Sequence, residues 1–399
     1  MIIYLWETIN NNLCINKIIY LAGMGAFYMF LNGAQVDDHI LDPPQTVYSY
    51  RVLYSTFDIT PSLRAGINVI GVMLGNYKFG YTDVWCNMTM ANGPRGCQTF
   101  IAFVNITYED GSSYTYTSNI HDWVGRNGPV VWDHLFHGET FDARLNLTGW
   151  DSVPLANFSP AVWFPTVILN PPTSSPIGNT LGQLYPNNMP PIRIDISFSV
   201  VRYYALGPDW FFDFGQNMAG FVSLQLSDML PSGTTLYISH AELLTEDESL
   251  NDWYCVPNPN AASFRMEPCF PHQTYGPGHF ISDRYVGDFN CANMTNIFIA
   301  KGQMNETYTP LFSFAGFRYV RISGLPENYP VMASMLTAHF AHTDVENVGL
   351  LKLPVIAAQG DLTNKTPDIL NRIHGACRFS QSSNLWSIPT DCPQRERRG

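Results

Sequence analysis

The sequence predicts a mainly β protein of several domains whose character changes to helical after Asp344. Of its 399 residues, 14% are charged and 14% are aromatic, and 30 glycines and 28 prolines are spread along the chain. Few charges, many aromatic side chains and frequent turn residues are typical of short strands joined by turns. At roughly 100–200 residues per domain, this length accommodates two to four domains.

Net charge and hydrophobic patterning exclude several classes of partner. Lys and Arg number 21 against 33 Asp and Glu, which gives a net charge of −12. An acidic chain without basic runs argues against nucleic acid or an anionic membrane surface as a partner. No stretch reaches the ~18–20 apolar residues that a membrane span needs. The chain shows no Cys-x-x-Cys pair, nucleotide loop or metal-ligand cluster, so no cofactor and no metal are expected.

The N-terminus offers two interpretations. Residues 1–24 are expected to be irregular, without a clear signal peptide. The apolar run at residues 18–31 fits either a buried strand or a signal anchor. We favour the strand because two glycines would weaken a membrane helix, and because Asn32-Gly33 is a typical tight hairpin turn after a strand.

A first β-sandwich is expected over residues 25–191. Its clearest element is a hairpin in which Thr99–Tyr108 and Ser113–Thr117 flank a turn at residues 109–111. Short strands separated by turns at this spacing are typical of β-sandwiches. Residues 152–192 are rich in Pro, Asn and Ser and are expected to hold the boundary to the next domain.

A second β-sandwich is expected over residues 192–344. Apolar and aromatic runs at residues 210–214, 221–226 and 317–322 predict its strands. The loop over residues 251–280 is long and aromatic and contains five prolines. Such a loop is uncommon unless it is functional or an insertion.

The segment 345–399 predicts the beginning of a helical domain. Thr366 can cap a helix with Pro367 at its first position and Asp368 in its first turn. Apolar residues at helical spacing then continue toward Ser382. An amphipathic helix must bury its apolar stripe against a partner, so we expect this helical domain to be incomplete.

Two residue sets point to the secretory pathway, and hence to an extracellular glycoprotein. Seven Asn-x-Ser/Thr sequons are present, of which Asn157 is doubtful because Pro160 follows it. Two cysteine pairs lie in Pro/Gly/Asn-rich stretches where a disulfide could close a loop, although free buried thiols fit equally well. The glycosylation candidates are Asn87, Asn105, Asn146, Asn293, Asn305 and Asn364, and the disulfide candidates are Cys86 with Cys97 and Cys255 with Cys269.

The last nine residues carry the strongest catalytic signal. Asp391 and Glu396 lie five positions apart and are flanked by Arg395 and two further arginines. One carboxylate can accept hydrogen bonds from sugar hydroxyls, and another with a raised pKa can protonate a glycosidic oxygen. By spacing alone, a solvated ion-pair turn is the commoner explanation.

Motifs in a fixed order resemble those of bacterial-type α-L-rhamnosidases, glycoside hydrolase family 78. The segment Ile388 to Gly399 resembles the opening of that family's catalytic domain. The resemblance covers about residues 25–399, and Ala315 stands where a His is usual. The earlier motifs are Leu31-Asn32-Gly33, Phe57-Asp58-Ile59-Thr60, Gly66 to Gly75, Gly138-Glu139-Thr140-Phe141-Asp142-Ala143-Arg144, Asp213-Phe214-Gly215-Gln216-Asn217 and Phe314-Ala315-Gly316-Phe317-Arg318-Tyr319.

The resemblance implies a fold and an activity. The fold is two β-sandwich domains, the second concanavalin-like, followed by the first helix of a truncated (α/α)6 barrel. The activity is inverting hydrolysis of terminal α-L-rhamnose from glycosides or polysaccharides, with two carboxyl groups ~6.5–9.5 Å apart. Glu396 matches the general acid, Asp391 a substrate-binding carboxylate and Arg395 an orienting group. Because the family's general base lies further downstream, this chain alone is expected to be inactive.

Two other classes of function stay open at this point. The first is a non-catalytic carbohydrate-binding β-sandwich protein, and the second is a purely structural extracellular β module.

Glu139, Asp142 and Arg144 are expected to form a structural ion-pair cluster. His240 and Glu242 resemble a metal or acid–base pair and stand at alternate positions that share one face of a strand, but a structural role is expected for them.

Overall fold

Strands dominate the computed structural model of the chain. Among the residues that the structure describes, a single α-helix, α1 (Thr366–Ser383), follows them, and short 3-10 helices lie at Ala143–Leu145 and Ala333–Met335. The predicted mainly β fold class is confirmed. The structure describes residues 2–9, 14–48, 50–77, 98–135, 138–154, 157–159, 163–168, 182–251, 256–257, 289–290, 294–349, 351–352 and 366–390.

The strands are numbered in chain order. They are β1 (Ile2–Ile9), β2 (Cys14–Gly23), β3 (Ala26–Leu31), β4 (Ala34–Gln35), β5 (Arg51–Asp58), β6 (Gly66–Gly75), β7 (Phe100–Tyr108), β8 (Ser113–Thr117), β9 (Val124–Arg126), β10 (Val130–His134), β11 (Gly138–Asp142), β12 (Phe164–Pro165), β13 (Gln183–Pro186), β14 (Ile192–Ser199), β15 (Arg202–Leu206), β16 (Asp209–Gln225), β17 (Thr235–Ala241), β18 (Val256–Pro257), β19 (Phe289–Asn290), β20 (Thr295–Ile299), β21 (Thr307–Tyr308), β22 (Ala315–Ser323), β23 (Leu336–Thr343), β24 (Leu385–Trp386) and β25 (Ile388–Pro389).

Two sheets form the first β-sandwich. One has the order β12-β9-β1-β6-β3-β4 and the other the order β13-β5-β2-β7-β8. Alternating residues of β2, β3, β6 and β7 point into the space between them, so the period of two along each strand builds this core. Its buried members include Ile19, Leu21, Phe27, Met29, Val72, Leu74, Ala102, Val104 and Ile106.

Local turn signals set the hairpins of this sandwich. Asn32 and Gly33 adopt φ values of 54° and 90°, and they join Leu31 directly to Ala34 in a two-residue turn. Positive φ at both turn positions suits the right-handed twist of the flanking strands. The predicted hairpin of β7 and β8 is confirmed as well, with Phe103 opposite Thr117.

The irregular start expected for residues 1–24 is wrong. Strand β1 lies between β6 and β9, and β2 pairs with both β5 and β7. These partners come dozens of residues later, so short-range turn signals do not reveal them. The apolar run at 18–31 is two strands in different sheets rather than one, and no helix in the described ranges has the length and apolar character to cross a membrane.

A ten-stranded sheet builds the second β unit. Its main order is β10-β11-β20-β17-β22-β16-β23-β14, with β15 and β21 also paired to β16. Strand β11 joins it by parallel pairing, with Thr140 opposite Ile297. Both β10 and β11 precede residue 191, so the sheet pairing does not follow the expected division at 191/192.

Strands β3 and β6 of the six-stranded sheet are buried on both faces. Phe27 and Met29 of β3 face the first core, whereas Tyr28 between them belongs to the core of the second unit. The Tyr28 hydroxyl donates to the carbonyl of Leu311 at 2.9 Å, and its ring meets that of Phe312 edge to face. The two β units therefore share a continuous interface.

Helix α1 packs on the second unit through one face. Phe379 stacks on Phe340 of β23, with ring centroids 4.2 Å apart. Elsewhere on the helix surface, Ile369, Leu370 and Ile373 are about half exposed.

Candidate functional site

A groove opens between helix α1 and the second β unit. Its volume is about 740 Å³. One wall comes from the middle of β16 and the residue that follows β17, and the other wall is the helix. The lining residues are Gln216, Asn217, Met218, Glu242, Ile369, Arg372, Ile373, Gly375, Ala376, Phe379, Ser380, Ser383 and Asn384.

A bulge in β16 presents the polar wall of this groove. The pairing of β16 with β22 is interrupted between Asp213 and Met218, and Gly215 takes a φ of 74°. The Asp213 carboxylate accepts the Gly215 N–H at 2.7 Å and two hydrogen bonds from Arg318 at 2.8 and 2.9 Å. Burial opposes ionisation of Asp213, but these bonds outweigh it and hold the pKa of the carboxyl below its ordinary value.

The bulge leaves Gln216 and Asn217 exposed at the groove. The Asn217 side-chain amide donates to Glu242 Oε1 at 2.9 Å, and Gln216 Nε2 donates to the Asn217 carbonyl at 2.8 Å. Opposite this polar wall lie the aliphatic side chains of Ile369 and Ile373. A groove with amide and carboxylate groups on one side and C–H groups on the other can hold a molecule of mixed polarity, such as a sugar ring.

The residues predicted to be catalytic, Glu396, Asp391 and Arg395, lie outside the described residues. The last described residue, Thr390, donates its N–H to the carbonyl of Asn384 at 2.8 Å. Since Asn384 lines the groove, this hydrogen bond places Thr390 beside a groove residue.

The predicted modification sites divide into two groups. Asn105 lies partly exposed on β7, and Asn146, Asn157 and Asn305 are exposed. Outside the described residues lie Asn87, Asn293, Asn364 and the four cysteines Cys86, Cys97, Cys255 and Cys269.

The expected ion-pair cluster forms only in part. Arg144 binds Asp142 with two hydrogen bonds at 2.8 and 2.7 Å, but Glu139 lies elsewhere and is fully buried. The Glu139 carboxyl accepts the N–H groups of Leu311 and Phe312 at 3.0 and 2.8 Å. Burial raises the pKa of Glu139 to about 8, so it is mainly a neutral acid at pH 7.

His240 and Glu242 do not act together. The His240 ring is buried, its Nδ1 is 2.9 Å from the Met294 carbonyl, and burial lowers its pKa to about 4. Glu242 follows the end of β17 and lines the groove instead. The structural role expected for His240 agrees with this geometry.

Sequence reasoning missed Gln216, Asn217 and Arg372 as candidate ligand-binding residues. Arg372 lies more than 150 positions from the other two, so only the fold brings them to one groove. A local signal did exist, because two consecutive amide residues stand in the middle of a strand that is mainly apolar and aromatic.

Comparison with protein-family models gives three matches in sequence order. Residues 14–195 match the α-L-rhamnosidase N-terminal domain, and residues 206–264 and 278–342 match the bacterial α-L-rhamnosidase concanavalin-like domain. Residues 363–399 match the bacterial α-L-rhamnosidase 6 hairpin glycosidase domain. This chain belongs to the bacterial α-L-rhamnosidase family.

Individual rhamnosidases agree with the family match. An α-L-rhamnosidase of Formosa agariphila is 28% identical over 392 residues, which cover 96% of this chain and 35% of the relative. The structure of the Dictyoglumus thermophilum α-L-rhamnosidase superposes with a TM-score of 0.74 at 30% identity, covering 100% of this chain and 37% of the other. The structure of the Streptomyces avermitilis α-L-rhamnosidase complexed with L-rhamnose superposes with a TM-score of 0.73 at 25% identity. It covers 99% of this chain and 32% of the other. The chain thus spans about a third of the length of these relatives.

Proposed function

We propose that this chain supplies the two β units and the first helix of an inverting α-L-rhamnosidase. The enzyme releases terminal α-L-rhamnose from rhamnose-containing glycosides or polysaccharides. One observation carries the proposal, namely that the glycosidase-domain match over residues 363–399 continues in order from the two β-domain matches. The packing of helix α1 on the second unit supports it, because the helix joins that domain to the rest of the chain.

The proposed chemistry assigns one role to each residue. Glu396 gives its proton to the glycosidic oxygen as the bond from that oxygen to the anomeric carbon breaks. A water molecule attacks the opposite face of the sugar, loses a proton to a general base, and leaves the anomeric carbon inverted. Asp391 accepts hydrogen bonds from rhamnose hydroxyls, and Arg395 orients the two carboxyl groups. We assign the general base to no residue of this chain, and we therefore propose that the chain alone is inactive.

The contacts of residues 386–390, which directly precede the proposed catalytic segment, support a fixed position for its first residue. Trp386 is fully buried, the Ser387 N–H donates to the Thr343 hydroxyl at 2.7 Å, and Thr390 is bound to Asn384. These contacts hold the residues before Asp391 against the second β unit. A catalytic carboxyl needs such support because small displacements cost large factors in rate.

The first test is hydrolysis of 4-nitrophenyl α-L-rhamnopyranoside by the purified chain and by a chimera. In the chimera, residues 1–399 are followed by the rest of the six-hairpin domain of the Streptomyces avermitilis relative. We expect no turnover by the chain alone and turnover by the chimera. Glu396→Gln should lower the chimera's rate by ~10²–10⁴-fold, whereas Glu327→Gln, at an exposed carboxyl, should leave it unchanged.

Each element of the proposal can fail separately in this experiment. Glu396-dependent turnover by the chain alone would show that it is active. An active chimera that tolerates Glu396→Gln would remove the acid role, and a folded but inactive chimera would count against the assignment of the segment. Proton NMR of the first product should show the β-anomer of L-rhamnose, since retention would give the α-anomer.

We also propose that the chain passes through the secretory pathway as a glycoprotein. The exposed positions of Asn146 and Asn305 support this, because a sequon must reach solvent to carry a glycan. Expression behind a cleavable secretion leader in insect cells, followed by peptide mass mapping, should find glycans on both residues. Two unmodified sequons in secreted, folded protein would contradict the proposal.

A further inference from the structure

The outer face of the five-stranded sheet is aromatic around Asn105, and Asp58 of β5 is a charged side chain in the same cross-strand row. The rings of Tyr54, Tyr20 and Phe103 form a row across three neighbouring strands, with centroids 5.9 Å apart at both steps. Phe103, at the end of this row, exposes 38% of its surface, and Ile101 exposes 44%. Soluble proteins usually cover such a face with charged side chains or with a partner.

Asn105 points out of the same face as Phe103. Ala102, Val104 and Ile106 are buried in the core of the first sandwich, so the alternating residues of β7 face outward. Phe103, Asn105 and Thr107 therefore share the outer face. Two residues of a strand span about 6.6 Å, which is the distance that a single sugar ring attached to Asn105 can bridge.

The surroundings of Asn105 leave its amide free to react. Its cross-strand neighbours are Ile18 on β2 and Thr115 on β8, and neither is charged. Within the described ranges of the chain, the side chains of Asn105 and Thr107 make no hydrogen bond. The acceptor amide and the hydroxyl of the sequon thus both face solvent.

We infer that Asn105 carries an N-linked glycan whose first N-acetylglucosamine packs against the ring of Phe103. In this modification a bond forms between Asn105 Nδ2 and the anomeric carbon of the sugar. The bond from that carbon to the diphosphate of a lipid-linked oligosaccharide donor breaks, and the amide loses one proton. The sugar's C–H face then covers the aromatic ring, and its hydroxyls face water.

Asn105 differs in this respect from the other sequons of the described chain. Arg144 stands two positions before Asn146, Leu155 stands two before Asn157 and Gln303 stands two before Asn305. None of the three offers an aromatic ring, and none of these sequons lies in the middle of a strand. The combination of sequon, exposed ring and uncharged cross-strand neighbours occurs at Asn105, and it identifies the chain's own glycan as the occupant of this face.

The inference rests on the proposed secretory route and is independent of the hydrolase proposal. The full chain is secreted from insect cells behind a cleavable leader, and its glycopeptides are mapped by mass spectrometry. We expect a glycan on Asn105 as well as on Asn146 and Asn305. Glycans on those two without one on Asn105 would overturn this inference and leave the secretory proposal standing.

A double-mutant cycle tests the contact between sugar and ring. Phe103→Ala should lower the melting temperature by about 2–4 °C more in the glycosylated parent than in the Asn105→Gln background, because only the parent loses a sugar–aromatic contact. Two matched cycles serve as controls. Phe103→Ala should be additive with Asn146→Gln, and Ile101→Ala should be additive with Asn105→Gln.

Additivity of Phe103→Ala with Asn105→Gln would overturn the packing of the glycan on the ring. The competing explanation is that the face binds a free polysaccharide. Isothermal titration of the Asn105→Gln protein, which has no glycan at position 105, with a soluble rhamnose-containing polysaccharide examines it. We expect no binding, and Phe103-dependent binding would show that the face is a site for free glycans instead.

Discussion

Trp386 stacks face to face on Phe314, with ring centroids 3.7 Å apart and planes inclined by 5°. Phe314 immediately precedes β22 of the second unit, whereas Trp386 lies just after helix α1. The stack buries the Trp386 side chain completely. It therefore joins the segment that leads to Asp391 to the rigid β scaffold.

Removing this stack should loosen the helical segment. Trp386→Ala deletes a fully buried aromatic side chain, so we expect a loss of ~3–5 kcal/mol in the free energy of unfolding. Trp386→Phe keeps a ring in place, and Trp386 Nε1 has no hydrogen-bond partner among the described residues, so this control should lose much less. Urea denaturation measures both losses. Equal losses for the two variants would contradict a role for the stacked ring.

Gly375→Ala should stabilise helix α1. Gly375 lies inside the helix, and a Cβ added there meets no atom within 4 Å. Replacing a glycine by alanine in a helix interior contributes about 0.5–1 kcal/mol. Hydrogen exchange of the α1 amides should slow accordingly, and the neighbouring change Ala376→Gly should speed it. Faster exchange in Gly375→Ala would contradict the prediction.

Glu139 should make the protein less stable as the pH rises. An unfolded Glu has a pKa of about 4.3, and burial raises that of Glu139 to about 8 in the folded chain. Its contribution to stability is therefore complete below pH ~4 and is lost as the pH rises to 8. The neighbouring Asp133, whose pKa burial raises to about 6, adds the same trend at lower pH.

Glu139→Gln isolates this effect. The amide keeps a carbonyl oxygen for the Leu311 and Phe312 N–H groups but does not ionise. Thermal unfolding from pH 5 to pH 8 should show a smaller decline for this variant than for the parent, with the difference growing throughout this range. Glu327→Gln, at an exposed carboxyl, should follow the parent. A parallel decline in parent and Glu139→Gln would contradict the assignment.

Gly75→Ala should destabilise the interface between the two β units. A Cβ at Gly75 would lie far inside van der Waals contact with the ring of Phe312. Overpacking of this kind costs typically about 1–3 kcal/mol. The same change should cost less in a Phe312→Leu background, because the smaller side chain makes room. Chemical denaturation of the four proteins measures this coupling, and additivity would contradict it.

Local chemistry predicted the hairpins, whereas long-range pairing was not predictable from the sequence. The Asn32-Gly33 turn and the β7–β8 hairpin depend on a few adjacent residues, so the sequence was sufficient for both. Strand β1 depends on β6, which begins 57 positions after β1 ends. When its pairing partner is that distant, a short apolar segment has no neighbouring turn or strand that would identify it as a strand.

The candidate site divides in the same way. Asp391 and Glu396 were recognisable because they stand in one short motif. Gln216, Glu242 and Arg372 come from three separate elements, and no spacing rule links an amide on β16 to a guanidinium on α1. The two walls of the groove come together only in the folded chain, where the bulge at Gly215 shapes one wall and the packing of Phe379 positions the other.

The parallel pairing of β11 with β20 limits how chains of this kind can be recombined. Cleavage at residue 191 would separate β10 and β11 from the sheet that they complete, and Glu139 from the amides that it binds. The hydrophobic core of the second unit, to which Tyr28, Leu135 and Trp150 contribute, would then be divided between the two pieces. A swap between related enzymes must therefore carry both β units as a single block, and the first sandwich is not an exchangeable module.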